Sequence, residues 1–301
     1  MEEMKIYNND SNKITRAYLD SLLVEQRLID SDLPDLTTTI FGKNYRTPIM
    51  NAAFSHLHSY CPDAAAVMAK GMKEAGALNW WGMSSDTEME SIFVTGCDTV
   101  KIIKPFADEK KILHELEHAV SHGAVAVGMD LDHAYDRSGN YDNVLGEEMR
   151  PKTLSQICEY VKAAGEVPFV IKGVLSLQDA QKCVEAGVKG IVISHHHGIF
   201  DYAVPPLMIL PEIKKTVGDE LEIFVDCGMD SGMDVFKALA LGASAVSVSR
   251  HLLKYLKDGQ AQSVTKRMNE MASELRSIMA RCGCSSVGAI DQTIIWKREG
   301  F

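Results

Sequence analysis

Short apolar runs alternate with amphipathic segments along most of the chain. Eight of the runs read as strands: Pro48–Ala52, Ala77–Trp81, Thr99–Ile103, Ala124–Gly128, Pro168–Lys172, Gly190–Ser194, Leu221–Asp226 and Ala243–Val248. Phe169-Val170-Ile171 and Ile191-Val192-Ile193 are apolar at every position, as expected of strands buried on both faces. Helical segments are predicted between the runs near Asp63–Ala75, Lys110–Ser121, Thr153–Ala163, Leu177–Ala186, Pro206–Thr216 and Gly232–Leu241, with a shorter one near Thr87–Ile92. Strand–helix alternation implies a parallel sheet, and eight units predict closure into a (β/α)8 TIM barrel, an α/β fold. The competing arrangement is an open doubly wound sheet, but no Gly-x-Gly-x-x-Gly follows the first strand.

Three segments fall outside the repeat. Residues 1–46 form an N-terminal extension expected to cover the bottom or side of the barrel. Residues 131–151, LDHAYDRSGNYDNVLGEEMRP, are a long polar excursion after the fourth strand. At the C-terminal rim of a barrel such a loop is expected to be either an active-site lid or a disordered insertion. Gln260–Arg281 is predicted to be the closing C-terminal helix.

Length and composition narrow the picture. The 301 residues suit one α/β domain with a large core, and no Pro/Gly/Ser-rich linker divides them. A net charge of −10 argues against nucleic acid as a partner but leaves room for one phosphorylated ligand in a local pocket. The cysteines, 7 in number, lack paired metal spacing; Cys282-Gly283-Cys284 is the one close pair. Reduced thiols in a cytoplasmic protein are the expectation. The polar, acidic start MEEMKIYNNDSNK does not read as a signal peptide, and no apolar run approaches the ~20 residues that span a bilayer, so no membrane partner is expected.

In a barrel the strand C-termini face the active site. Here those positions carry Ala52 to Ser55, Ser84, Ser85, Lys101, Asp130, Lys172, His196, Asp226, Gly228, Ser249 and Arg250. Lys172 ends an apolar strand, and a lysine there is expected in the barrel mouth, since burying it unpaired is costly. Its chemistry suits a Schiff base, a phosphate or negative charge on a cofactor ring. Ser194-His195-His196-His197-Gly198 closes the sixth strand. Consecutive strand residues point to opposite faces, so three adjacent histidines do not converge on one ion, and no second cluster of ligands stands out. No metal is expected, and one of the three as a general base is the better reading. Asp226-Cys227-Gly228 and Ser249-Arg250 end the last two strands, where barrels often hold a cofactor phosphate. Trp80 and Trp81 are expected in the core.

Val170-Ile171-Lys172-Gly173-Val174, Ile193-Ser194-His195-His196 and the stretch Asp234–Ala243 together resemble the FMN-dependent α-hydroxy-acid oxidase and dehydrogenase family, over about Leu36–Ile290. The resemblance implies FMN as cofactor and oxidation of a small hydroxy acid or related alcohol, with an unidentified electron acceptor. It implies that Lys172 stabilises the reduced, anionic flavin ring, that His196 is the base, and that Asp130 supports it. Asp226, Gly228, Ser249 and Arg250 would surround the FMN phosphate. Ala52, Ala53, Phe54, Ser84, Ser85 and Ser194 would pass along the flavin, and Lys101 would restore positive charge near it. The family's substrate arginine falls at Ile199, so Arg137 in the excursion is the expected replacement. The family's glutamine and tyrosine on the third strand fall at Lys101 and Ile103. A homo-oligomer, a tetramer by the same resemblance, is expected. Two other readings stay open: a flavin-dependent isomerase on the same barrel, and a non-catalytic flavin-binding protein.

Overall fold

In the computed structural model, residues 9–298 are described; residues 1–8 of the expected extension lie outside them. Eight parallel strands form one sheet: β1 Ile49–Asn51, β2 Asn79–Trp81, β3 Thr99–Ile103, β4 Ala126–Asp130, β5 Phe169–Val174, β6 Gly190–Ile193, β7 Glu222–Val225 and β8 Ala245–Val248. The order runs β1-β8-β7-β6-β5-β4-β3-β2. The two ends then meet. The Asn51 side chain donates to the Trp80 carbonyl at 2.8 Å and accepts from the Trp80 N–H at 3.1 Å, and the Gly82 N–H reaches the Phe54 carbonyl at 2.7 Å. A side-chain amide thus substitutes for part of the missing strand ladder, and the barrel closes.

Inside, Met50, Leu78, Trp80, Val100, Ile102, Ala126, Val170, Val192, Phe224 and Ala245 form one apolar cluster. Each strand contributes alternate residues, as strand geometry requires. A larger apolar layer lies between the strands and the surrounding helices. The helices are α1 Ser11–Ser21, α2 Ala64–Ala75, α3 Asp86–Phe93, α4 Glu109–Ser121, α5 Leu154–Ala164, α6 Leu177–Glu185, α7 Pro206–Val217, α8 Gly232–Ala240 and α9 Leu253–Arg281. Ser85, Asp108, Thr153, Ser176 and Ser231 cap α3, α4, α5, α6 and α8 by accepting a backbone N–H from the first turn. No helix of the described residues is long and apolar enough to cross a membrane.

Several expectations need correction. β4 runs two residues further than its apolar pattern indicates, to Asp130, because that carboxylate is paired inside the mouth and can end a buried strand. α9 starts at Leu253 rather than Gln260. The extension covers both ends of the barrel. Its hairpin, Thr38–Ile40 with Lys43–Tyr45, places Phe41 against Phe224 at 5.6 Å at the bottom. Its helix α1 lies instead at the C-terminal rim, beside His195 and Gly228.

Residues 131–151 are folded against the mouth rather than disordered. A short 3-10 turn, Asp132–Ala134, is followed by paired segments Asn143–Val144 and Glu147–Glu148. Arg150 lies over the Tyr141 ring at 3.8 Å, and a bridge joins Met149 to Phe106.

Candidate active site

The alternation that fills the barrel interior also selects what reaches the mouth. Continuing the inward set upward from Ile102, Gly128, Val170 and Phe224 gives Lys104, Asp130, Lys172 and Asp226. These four side chains are nearly buried. Lys104 donates to Asp130 Oδ2 at 2.8 Å. Lys172 Nζ lies 3.6 Å from Asp130, 3.2 Å from Asp132 and 4.0 Å from Asp226. Burial raises the Asp130 carboxyl, but the Lys104 and Lys172 ammoniums outweigh it and hold Asp130 far below the usual carboxylate range. Burial likewise pushes Lys172 down, and the three carboxylates reverse this and raise it.

His196 sits at the edge of this cluster. Strand β6 ends at Ile193, and His196 and His197 both adopt left-handed backbone, φ 46° and 56°. The Ser194 hydroxyl accepts the His196 N–H at 3.0 Å and fixes the turn. His196 Nδ1 lies 3.1 Å from Asp132 Oδ2, 3.5 Å from Asp130 Oδ2 and 3.0 Å from Lys172 Nζ. Burial and the Lys172 ammonium lower the imidazole's pKa; the two carboxylates outweigh both and hold it above its ordinary value. An ammonium and an Nδ1–H cannot donate to each other, so they share the Asp132 carboxylate. The other nitrogen, Nε2, meets His133 Nε2 at 3.1 Å, and His133 Nδ1 lies 2.8 Å from Asp142. Burial lowers the His133 pKa and the nearby Lys104 charge adds to this, so His133 is the neutral partner.

Gly173 explains how Asp132 fits. At φ 93° it lies in the left-handed region, at a register shift in β5. A Cβ there would sit 2.2 Å from Asp132 Oδ1. The Lys172-Gly173 pair therefore provides both the ammonium and the space for the carboxylate beside it.

His195 and His197 diverge from His196 because of the left-handed turn, not strand alternation. His195 is buried; its Nδ1 accepts the Gly198 N–H at 3.0 Å and its Nε2 meets the Thr15 hydroxyl of α1 at 2.8 Å. The His197 carbonyl accepts from Asn12 at 3.0 Å. Both hold the rim to α1.

Lys101 does not reach the mouth. It has the opposite parity to Val100 and Ile102, points between sheet and helices, and pairs with Glu115 of α4 at 3.2 Å. Its ammonium also donates to the Gly82 carbonyl and the Ser84 hydroxyl, at 2.7 and 2.9 Å. Ser84 thus accepts from Lys101, and the Ser85 hydroxyl accepts from the first turn of α3, which leaves each a second lone pair. Ala52, Ala53 and Phe54 follow β1, and Phe54 bridges to Trp81. Both tryptophans are core residues, Trp80 inside the barrel and Trp81 in the helix layer.

The ends of β7 and β8 border a cavity of about 360 Å³, lined by Arg16, Cys227, Gly228, Ser249 and Arg250 among others. The Arg250 side chain makes no hydrogen bond or ion pair among the described residues, and burial lowers its pKa. Arg16, from α1, is already held by Asp20 and Asp234 at 2.7 and 2.8 Å. Asp226 accepts from the Cys227 thiol at 2.9 Å and faces Lys172 rather than this cavity. Arg137 donates to the Gly198 carbonyl at 3.3 Å, next to Ile199.

The sequence matches the FMN-dependent dehydrogenase family over residues 8–166 and 136–297. The chain belongs to this family. It is 30% identical to a 4-hydroxymandelate oxidase of Amycolatopsis orientalis, over 91% of this chain and 86% of that one. A peroxisomal (S)-2-hydroxy-acid oxidase of Oryza sativa subsp. japonica is 27% identical over 92% of this chain and 85% of its own. A mandelate oxidase variant solved with an FMN monooxide adduct superposes with a TM-score of 0.88 at 30% identity, covering 98% of this chain and 93% of that one. The cofactor of this FMN-dependent oxidoreductase is FMN.

The residues present fit that group. Arg250 is a guanidinium with no ion pair among the described residues, at the rim of a cavity, and suited to a phosphate. Lys172 is a buried ammonium suited to negative charge on a ring, and Ala52 and Ser194 present small side chains at the mouth. Lys104, Asp132, His133 and Arg16 were not foreseen. The parity of β3 signals Lys104 in hindsight, and Asp132 and His133 lie two and three residues after the strand-four aspartate. Nothing in the sequence signals Arg16.

Proposed function

We propose that the protein oxidises a small 2-hydroxy acid or a closely related alcohol to the corresponding carbonyl compound. The observation that carries this reading is His196 Nδ1 held by Asp130 and Asp132 beside the Lys172 ammonium. In that arrangement Nε2 is the nitrogen left to take the proton from a substrate hydroxyl, and the two carboxylates stabilise the imidazolium that forms. The hydrogen on the substrate carbon leaves with its electron pair, and the C–O bond becomes a carbonyl. FMN, when bound, supplies the acceptor for that hydride equivalent. Lys172 stabilises the negative charge this places beside it. The names of the relatives, oxidases of 4-hydroxymandelate and of (S)-2-hydroxy acids, support the substrate class.

Formal charges support a role for the lid. With His196 protonated, Lys104, Lys172 and His196 balance Asp130, Asp132 and Asp226. A substrate carboxylate therefore needs one more cation, and Arg137 at the turn after His196 is placed to supply it. His133 occupies the position facing Nε2, so the lid withdraws this ring when the substrate hydroxyl arrives. The same reading includes a cytoplasmic homo-oligomer, a tetramer by family resemblance, which light scattering of the purified protein tests.

The test is anaerobic titration of the FMN-loaded protein with aliphatic and aromatic 2-hydroxy acids. Flavin bleaching by at least one of them is expected. Arg137→Ala should raise the half-saturating concentration more than it lowers the limiting rate. No bleaching by any 2-hydroxy acid in the panel would overturn the proposal.

A further inference from the structure

Helix α4 and its C-terminal capping residue, His122, carry the sequence His114-Glu-Leu-Glu-His118-Ala-Val-Ser-His122. Residues four apart share a helix face, so the three histidines form one stripe. The rings of His118 and His122 lie 4.3 Å apart and those of His114 and His118 6.3 Å apart. Helix α3 faces this stripe with Asp86 and Glu90, also four apart. His118 Nε2 is 3.5 Å from Glu90 Oε1 and its Nδ1 is 3.9 Å from Asp86. His114 is paired separately with Asp86 at 2.9 Å. One ligand atom each from Glu90, His118 and His122 lies within 4.8 Å of the others.

We propose that Glu90, His118 and His122 form a zinc-type divalent metal site clipping α3 to α4 on the outside of the barrel.

The donor set is two imidazoles and a carboxylate, the chemistry that zinc takes, with a water completing four-coordination. Donors about 2.1 Å from a tetrahedral ion lie roughly 3.4 Å apart. The Glu90–His118 pair is already at that separation, so only His122 has to close in. Its tautomer is prepared for this. His122 Nδ1 lies 2.8 Å from the His118 carbonyl, which can only accept. Nδ1 therefore carries the proton, and the lone pair is on Nε2. The ring also stacks on Phe93, at 5.8 Å and 15° between planes.

A second histidine–carboxylate group, Asp130, His133 and His196, has similar spacing. It is a poor cation site, because Lys104 and Lys172 already neutralise Asp130. The α3–α4 group has no ammonium paired to it among the described residues. The absence of a counter-cation separates the two clusters. The site lies away from the mouth, so its metal would act on stability: an ion that binds only the folded chain raises its unfolding midpoint.

The experiment is isothermal titration of FMN-loaded protein with zinc chloride, with thermal unfolding measured in parallel. One zinc per chain and a raised unfolding midpoint are expected. His122→Ala and Glu90→Gln each remove a ligand at an exposed position and should weaken binding about 10-fold or more, as even the loss of outer partners does at metal sites. His133→Ala should leave the zinc affinity within about 3-fold of wild type. Retained affinity in His122→Ala and Glu90→Gln would overturn the proposal, whatever His133→Ala does, as would no stoichiometric binding by the wild-type protein. If His118→Ala fails to fold, the two exposed variants still decide the matter.

Discussion

His133 Nε2 meets His196 Nε2 at 3.1 Å, with the two rings near perpendicular at 87°. Two imidazole nitrogens in contact share one proton between them. The neighbours decide where it lies: carboxylates hold His196 towards its charged form, and burial keeps His133 neutral. The chain then reads His196 Nε2–H to His133 Nε2, and His133 Nδ1–H to Asp142. The 131–151 excursion is thus latched onto the acid form of the expected base.

Breaking this latch should help the substrate to bind. His133→Ala removes a hydrogen bond to a charged group, worth about 1.5–3 kcal/mol, that the substrate hydroxyl otherwise displaces. Stopped-flow flavin reduction should show substrate binding tightened by roughly tenfold or more, with the limiting rate little changed. A tenfold fall in that rate instead would make His133 a participant in proton transfer rather than a latch.

The pH profile tests the two carboxylates. His196 can accept a proton only when neutral, so kcat/KM should rise with pH through its elevated pKa and flatten above it. Asp132→Asn removes the nearer carboxylate, so the pKa falls and the acidic limb moves to lower pH. A limb that stays in place would mean that another group controls it. Asp130→Asn should move the limb the same way, but it also leaves Lys104 without its partner and should cost stability.

How much of this was legible in the sequence depended on the range of the interaction. The eight strands were readable because burial on both faces leaves continuous apolar runs. Lys172 and Asp226 were readable because a charge closing such a run must reach the mouth. Lys101 misled for the same reason: it lies near a strand end, but alternation from Val100 and Ile102 sends it outward to Glu115. Lys104, past Ile103 at the inward parity, reaches the mouth instead. Asp132, His133 and Arg16 join the site through the path of the 131–151 excursion and the packing of α1 on the rim. These are long-range contacts that local pattern does not encode. Glu90, His118 and His122 were not singled out either, because only the packing of α3 on α4 brings their ligand atoms together.

Lys172 should control the flavin's potential. Lys172→Met removes the buried positive charge, so the reduced, anionic ring loses its stabilisation and the midpoint potential should become more negative. The change also leaves Asp130, Asp132 and Asp226 short of a counter-charge, and breaking such a buried pair costs about 3–5 kcal/mol of stability. Lys172→Arg separates the two effects, since it keeps the charge. Its potential should stay closer to wild type than that of the methionine variant, as measured by spectroelectrochemistry. Equal potentials in all three proteins would reject the role.

The two arginines of the β7–β8 cavity should behave differently toward FMN. The Arg250 side chain makes no hydrogen bond or ion pair among the described residues, so its charge is available to a phosphate. Arg250→Ala should weaken FMN binding by about 1.5–3 kcal/mol, the value of a charged hydrogen bond, or roughly 10- to 150-fold in Kd. Arg16 is already committed to Asp20 and Asp234, and it also donates to the Gly228 carbonyl at 3.3 Å. Its charge is largely spent inside the protein. Arg16→Ala should therefore cost less in FMN affinity and more in stability, because Asp234 is left nearly buried without its ion pair. Fluorescence titration of the apoprotein with FMN, paired with thermal unfolding, measures both quantities. If Arg16→Ala weakened FMN more than Arg250→Ala, the phosphate would have to sit against α1 rather than at the end of β8.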